Sequence, residues 1–368
     1  MSSTKEIFIA IIGLGGVGKC FLSQLKNLSA QLSKTPTSPN LSLILISRSN
    51  KILYQKNYQS LPLEDIYDSL EKSTQSNLRI SEIIDYLAAA PSKVVLVDNT
   101  SSQEIANSYP QILGKKISIV TPNKKAFSSS RKLWEDIFTA ATPGTHVYHE
   151  SSVGAGLPII STLKDLIDTG DEILKIEGVF SGTMSFLFDS FAPVKGSGGT
   201  WSAEVKRARE LGFTEPDPRD DLNGLDVARK LTILARLVGM QVDSPTSFPV
   251  QSLIPKELED AASADEFLMN LPKFDAQMEE IKVSAEKEGK VVRYVGSITV
   301  ATNEIKVGVE KFSCSHPIST LKGGDNIISF HTKRYSNSPL IIQGAGAGGD
   351  VTAMGVTGDL IKVIRQLS

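Results

Sequence analysis

The chain has 368 residues, 40% of them apolar and 22% charged, which excludes a disordered or fibrous polymer and suits a globular protein of two or three domains. Its 39 Lys and Arg nearly balance its 41 Asp and Glu, so no net field favours nucleic acid or an anionic membrane, and a small-molecule partner is expected. Two cysteines make no disulfide framework, the start carries no basic-then-apolar leader, and no apolar run nears the ~18 residues of a membrane helix, so a cytoplasmic protein is expected.

Residues 7–12 form an apolar run ending at glycines, and Val17, Phe21, Leu25 and Leu28 then recur at helical spacing over 16–30. A second buried strand at 41–46 completes a βαβ unit, with Arg48 two residues beyond it. Further strands at 93–97, 117–120 and 145–148 alternate with helical stretches at 101–109 and 131–141. The alternation predicts an α/β fold with a Rossmann-type, doubly wound parallel sheet over residues 1–150. Past about residue 155 the rhythm changes to a strand at 173–180, a glycine-rich loop at 195–200, an acidic loop at 215–221 and a helix at 222–238. Strands at 291–300 and 304–312 follow, hinged at Thr302-Asn303, so residues 151–340 read as a second, α+β domain with an antiparallel sheet. Residues 341–368 read as strand, glycine loop and helix, expected to close back onto the first domain.

Gly13-Leu14-Gly15-Gly16-Val17-Gly18 fits G-x-G-x-x-G between a strand and a helix. Glycines there let the backbone turn tightly and approach a pyrophosphate, while the helix N-terminus offers N–H donors and positive dipole. Gly344, Gly346 and Gly349 repeat the spacing, but no strand follows to complete a βαβ unit. NAD enzymes of this fold usually place an acid about 20 residues on for the ribose 2′-hydroxyl. Here no acid occurs from Lys19 to Leu63, and Arg48 and Lys51 stand in that region instead. NADP is therefore expected to be accepted at least as well as NAD.

Asp98-Asn99-Thr100 ends a strand, where it serves either the ligand crevice or a helix cap. Thr121-Pro122-Asn123-Lys124-Lys125 ends another, and its pattern alone does not assign the lysines. Between Glu215 and Asp221 four carboxylates fall within seven residues stiffened by two prolines, a composition suited to an ammonium group. Asp226 and Lys230 share one helix face, either as a surface pair or as a proton-transfer pair in which the ammonium protonates an alkoxide left by hydride addition. His146 and His149 point to opposite faces of a strand, so no zinc site is expected.

Together these motifs resemble a homoserine dehydrogenase of the short fungal type over essentially the full length. The resemblance rests on GLGGVG, VDNTSS at 97–102, TPNKKAF at 121–127, HESSVGAGLPII at 149–160, EGVFSGT at 177–183, LGFTEPDPRDDLNGLDVARK at 211–230, SPTSFPVQSLIP at 244–255 and QGAGAG at 343–348. It implies reversible reduction of L-aspartate 4-semialdehyde to L-homoserine with NADPH or NADH, towards threonine and methionine, by a homodimer paired through the second domain. Carried over by position, it makes Lys230 the proton donor, places Lys124 at the reacting centre, and assigns Glu215, Asp221, Asp226, Gly182 and Thr183 to the substrate. It puts Val17, Asn99, Thr100, Lys124 and Gly348 beside the dinucleotide, with Gly13, Gly15, Gly16, Gly18 and Arg48 from the motifs above. It also implies a sodium ion on the Glu150 carboxylate and the carbonyls of Val153, Ala155 and Leu157, hard oxygen ligands next to the pliant Gly154 and Gly156.

One position departs from the family, which commonly has tyrosine where this chain has Phe213, so a hydroxyl contact is absent there. The chain ends at Ser368, so the regulatory domain or fused kinase of longer relatives, and threonine feedback through it, is not expected. Two other readings compete: a reductase of another amino-acid semialdehyde, and a non-catalytic binding protein, which would have lost a reacting lysine or acid.

Overall fold

Glu6–Ile12 forms β1, buried on both faces except at its first residue, as a strand inside a parallel sheet must be. The computed structural model describes residues 5–367, in two compact units: residues up to Gly156 with those from Gly348, and Leu157–Ala347.

In the first unit β1 lies parallel between β2 (Asn40–Arg48) and β4 (Lys93–Asp98). With β3 (Lys51–Tyr54), β5 (Ser118–Val120) and β6 (Val147–Tyr148) the sheet runs β3-β2-β1-β4-β5-β6. The order reverses at β1 and β4, and the carboxyl ends of those strands open the crevice in which such sheets bind ligands. Helix α1 (Gly16–Leu32) buries Phe21, Leu25 and Leu28 against the sheet, the spacing expected from the sequence. The helix Gly349–Leu367 adds Ala353, Val356, Leu360 and Val363 to the same core.

Two expectations are corrected here. Arg48 is the last residue of β2 rather than two residues past it, because the strand continues and then doubles back into antiparallel β3, pairing Arg48 with Lys51. The helical stretch at 101–109 divides into Gln103–Asn107 and Tyr109–Gly114, since Pro110 fits only the first turn of a new helix.

The second unit holds β7 (Ile173–Val179), β8 (Lys290–Thr299), β9 (Glu304–Ser313), β10 (Asp325–Thr332) and β11 (Leu340–Ala345). They run β11-β10-β7-β8-β9, every pairing antiparallel, and Asn303 at φ 53° turns the chain at the expected hinge. The terminal strand does not rejoin the first sheet: β11 pairs with β10, and only the helix after it belongs to the first unit. The helix expected at 222–238 begins at Leu225, because Gly224 adopts φ 73° and ends a short turn of helix, Arg219–Leu222. A Cβ at Gly224 would overlap the Tyr294 hydroxyl, so only glycine fits that turn.

Candidate functional site

The nucleotide side is built at the carboxyl ends of β1, β2 and β4. Gly13 takes φ 92°, and a Cβ there would lie 2.7 Å from Thr100 Cγ2, while a Cβ at Gly18 would run into the Gly13 carbonyl. At Gly15 and Gly16 a Cβ would meet nothing within 4 Å, so the loop is tight on its protein side and open on the other. That is the shape a pyrophosphate needs at the N-terminus of α1. A cleft of about 680 Å³ opens here, lined among others by Gly13, Gly15, Arg48, Arg79, Asn99 and Thr100. The Asn99 amide is buried with neither its oxygen nor its nitrogen bonded within the protein, a donor and acceptor pair left for a ligand. Val17 is half-buried on α1. Gly349 packs against the Gly16 carbonyl and Cys20 Sγ, which brings the adjoining Gly348, at φ 122°, beside the glycine loop.

Asp98 fixes the loops that follow β4 and β5. It is fully buried and accepts hydrogen bonds from the Thr100 amide (2.8 Å), the Tyr109 hydroxyl (2.6 Å) and Asn123 Nδ2 (3.2 Å). Burial pushes its carboxyl above the usual range, offset in part by these bonds, and burial with the Asp98 charge pushes the Tyr109 hydroxyl well up. Asn123 Oδ1 in turn accepts from the Lys125 amide, so the backbone around Lys124 is held from β4. The two readings of Asp98-Asn99-Thr100 thus divide: Asp98 is a buried turn-former, and Asn99 faces the cleft.

The sequence reasoning missed Arg79, which lines the cleft from the start of α3 (Ile80–Ala88) and pairs with Glu82 at 3.2 Å. It also missed α2 (Ile66–Glu71), whose Tyr67 and Glu71 bond Arg48. Neither lies in a motif, and only the fold brings them to β2.

The acidic loop and the Asp226–Lys230 pair lie in the second unit. Lys230 is 6% exposed on the helix Leu225–Leu237, with Nζ 2.7 Å from Asp226 Oδ2 and 2.6 Å from the Phe180 carbonyl oxygen. Phe180 follows β7 and leads into the helix Gly182–Phe191, where Thr183 Oγ1 lies 2.8 Å from Asp221 Oδ1 and 2.6 Å from the Phe213 carbonyl. Asp221 Oδ2 accepts from the Glu215 amide at 2.8 Å. Burial raises the Asp221 carboxyl above its ordinary value, and the nearby Glu215 and Asp226 charges add to the rise. Asp217 turns away to Arg219, which anchors the loop on the Ala261 carbonyl at 2.7 Å. So Thr183, Glu215 and Asp221 are joined by hydrogen bonds, Asp226 pairs with Lys230, and Gly182 precedes Thr183 on its helix, whereas Asp217 serves the loop. Phe213 is stacked on Phe186 with centroids 4.2 Å apart.

Glu150 is 7% exposed, with its amide donated to Asp359 Oδ2 at 2.7 Å and its carboxylate 3.5 Å from Lys362 Nζ. Gly154 and Ala155 follow in left-handed conformation, at φ 77° and 55°. The Glu150 carboxylate and the carbonyls of this loop are hard oxygen donors of the class an alkali cation takes, and Lys362 already stands against that carboxylate.

Residues 13–150 match the family model "Homoserine dehydrogenase, NAD binding domain", and residues 158–361 match the homoserine dehydrogenase model. The chain is 55% identical to the homoserine dehydrogenase of Emericella nidulans over 376 residues, covering 99% of this chain and 100% of the relative. It is 49% identical to that of Saccharomyces cerevisiae, covering 99% and 100%. A crystal structure of a Candida auris protein of unknown function superposes with a TM-score of 0.93 at 45% identity, covering 99% of each chain. No described helix is long and apolar enough to cross a membrane. The two matched models span both units, and the chain belongs to the homoserine dehydrogenase family, NAD(P)-dependent oxidoreductases that interconvert L-homoserine and L-aspartate 4-semialdehyde.

Proposed function

We propose that Lys230 is the proton donor of this reaction and that Glu215, Asp221 and Asp226 hold the amino-acid substrate, with Gly182 and Thr183 at its border. The observation that carries the reading is the Lys230 ammonium, buried and fixed between Asp226 and the Phe180 carbonyl beside the acidic loop. Reduced nicotinamide, when bound, supplies hydride to the carbonyl carbon of the semialdehyde. Lys230 gives its proton to the oxygen that becomes the hydroxyl, and in homoserine oxidation it takes that proton back. Asp226 keeps the lysine aimed, since a side chain held by two acceptors has lost most of its freedom before substrate arrives. Glu215 and Asp221 offer carboxylates to the α-ammonium group. Lys124, on the loop fixed by Asp98 and Asn123 in the first unit, stands beside the nicotinamide when it is bound.

The glycine loop, Val17, Asn99, Thr100 and Gly348 hold the dinucleotide, and Arg48 meets the 2′-phosphate of NADP. Glu150 with the carbonyls of Val153, Ala155 and Leu157 holds a sodium ion. The enzyme works in the cytoplasm as a homodimer, on the route to threonine and methionine. The test is the reduction of NADP and of NAD by L-homoserine, with and without sodium, alongside other amino-acid alcohols. Rapid turnover with homoserine above the others is expected. No turnover in a folded protein that binds NADP would overturn the reading.

A further inference from the structure

Beyond β2 the nucleotide unit sets two cations against one carboxylate, with a third cation over a tyrosine ring of the same helix. Arg48 ends β2, Lys51 begins β3, and Lys19, near the start of α1, holds its Nζ 4.6 Å from the centre of the Tyr67 ring. Glu71 closes α2 against Arg48 and Lys51. Its Oε1 accepts from Arg48 Nη1, its Oε2 lies 3.8 Å from Lys51 Nζ, and its carbonyl also accepts from Lys51. Tyr67, one turn earlier, takes Arg48 Nη1 at 3.1 Å. Arg48 lines the cleft and Glu71 is not among the lining residues, so the carboxylate reaches the cleft through the guanidinium.

We propose that Glu71 sets the cofactor preference: it holds Arg48 in position and cancels part of the positive charge that would otherwise draw the 2′-phosphate of NADP, keeping NAD competitive. The inference rests on Arg48 as the phosphate reader and adds to it the residue that opposes the phosphate. The effect is one-sided. A phosphate carrying about −1.5 to −2 charges feels the carboxylate, whereas the 2′-hydroxyl of NAD, being neutral, does not. No acid occurs between Lys19 and Leu63, and Glu71 reaches this region from α2, against Arg48 rather than in the cleft itself.

Glu71→Gln keeps an oxygen for Arg48 and removes the charge. The experiment titrates NADPH and NADH into the full-length protein by nucleotide fluorescence and takes the ratio of the two Kd values, at low and high salt. In Glu71→Gln the ratio should move about five- to tenfold towards NADPH, by less at high salt, as for a partly solvated charge. Glu71→Met, which removes the same charge on a side chain of similar length, should move it the same way, and this variant carries the test should the first fail to fold. Arg48→Gln tests the underlying reading by weakening NADPH more than NADH. If Arg48→Gln has that effect while neither other variant shifts the ratio in the stated direction, the role of Glu71 is overturned and the Arg48 reading stands. If Arg48→Gln leaves the ratio unchanged, both fall.

Discussion

Replacing Lys230 by methionine separates proton transfer from packing. Methionine keeps an unbranched stem of similar volume in a position that is 6% exposed, and deletes the ammonium. A positioned general acid contributes about 10²–10⁴-fold, so kcat for homoserine oxidation should fall about 10³-fold, or about 4 kcal/mol of transition-state stabilisation. The folding cost is smaller. The Phe180 carbonyl loses its 2.6 Å donor, a loss of about 1–3 kcal/mol, while the Asp226 side chain, 42% exposed, is solvated by water. The assay pairs steady-state kcat and KM for L-homoserine with the Kd of NADP+ and the melting temperature of the free protein. The expected pattern is a collapsed kcat with NADP+ affinity within about twofold of wild type. A kcat within about tenfold of wild type, in a protein that still binds NADP+, would remove Lys230 from the proton path.

Glu215→Leu should raise the KM for homoserine about tenfold or more through loss of a charge partner of the α-ammonium group, with the KM for NADP nearly unmoved; a rise in the NADP KM alone would refute the assignment. Tyr109→Phe removes a 2.6 Å hydrogen bond to a buried carboxylate and should cost about 2 kcal/mol, read by thermal unfolding of the free protein. The pH dependence has a definite sign. Asp98 already sits above its unfolded value through burial, so its contribution favours the folded state at acid pH and is lost as pH rises through the folded value. Losing the Tyr109 bond lifts that value further, so the destabilisation should be full at neutral pH and shrink on acidification as Asp98 protonates. A pH-independent difference between variant and wild type would remove the hydrogen bond to the Asp98 charge as its cause.

The legible parts of this protein were those written in local pattern. The run at 7–12, the glycines at 13–18 and the spacing of Phe21, Leu25 and Leu28 specify strand, turn and helix within one window, and the structure builds β1, loop and α1 from them. The acidic loop and the Asp226–Lys230 pair were visible for the same reason, being close in sequence and joined in space. Strand β10 carries no clear apolar alternation in the sequence, since Asp325, Asn326, Ser329, His331 and Thr332 interrupt it, although it lies between β7 and β11. Without β10 in view the terminal strand has no visible partner, and residues 341–368 read as one unit closing onto the first domain, whereas only the helix does so. Glu71 and Arg79 carry no motif at all. The place of Glu71 against Arg48 and of Arg79 at the cleft follows from where α2 and α3 begin and end, which depends on the packing of Ile66, Leu70, Ile83 and Leu87 rather than on any spacing around the charged residues.

The return of the helix Gly349–Leu367 to the first core bears on how the chain matures. The nucleotide unit supplies seven of its described α-helices and all six of its described strands before Gly156, yet Ala353, Val356, Leu360 and Val363 join that core only after the whole of Leu157–Ala347 has been translated. During synthesis the surface of α1 therefore waits uncovered while the second unit, contiguous in sequence, is free to fold first. A pause or truncation late in translation would leave a native-like second unit tethered to an open, aggregation-prone first one, which marks nascent-chain handling as a control point on the yield of active enzyme.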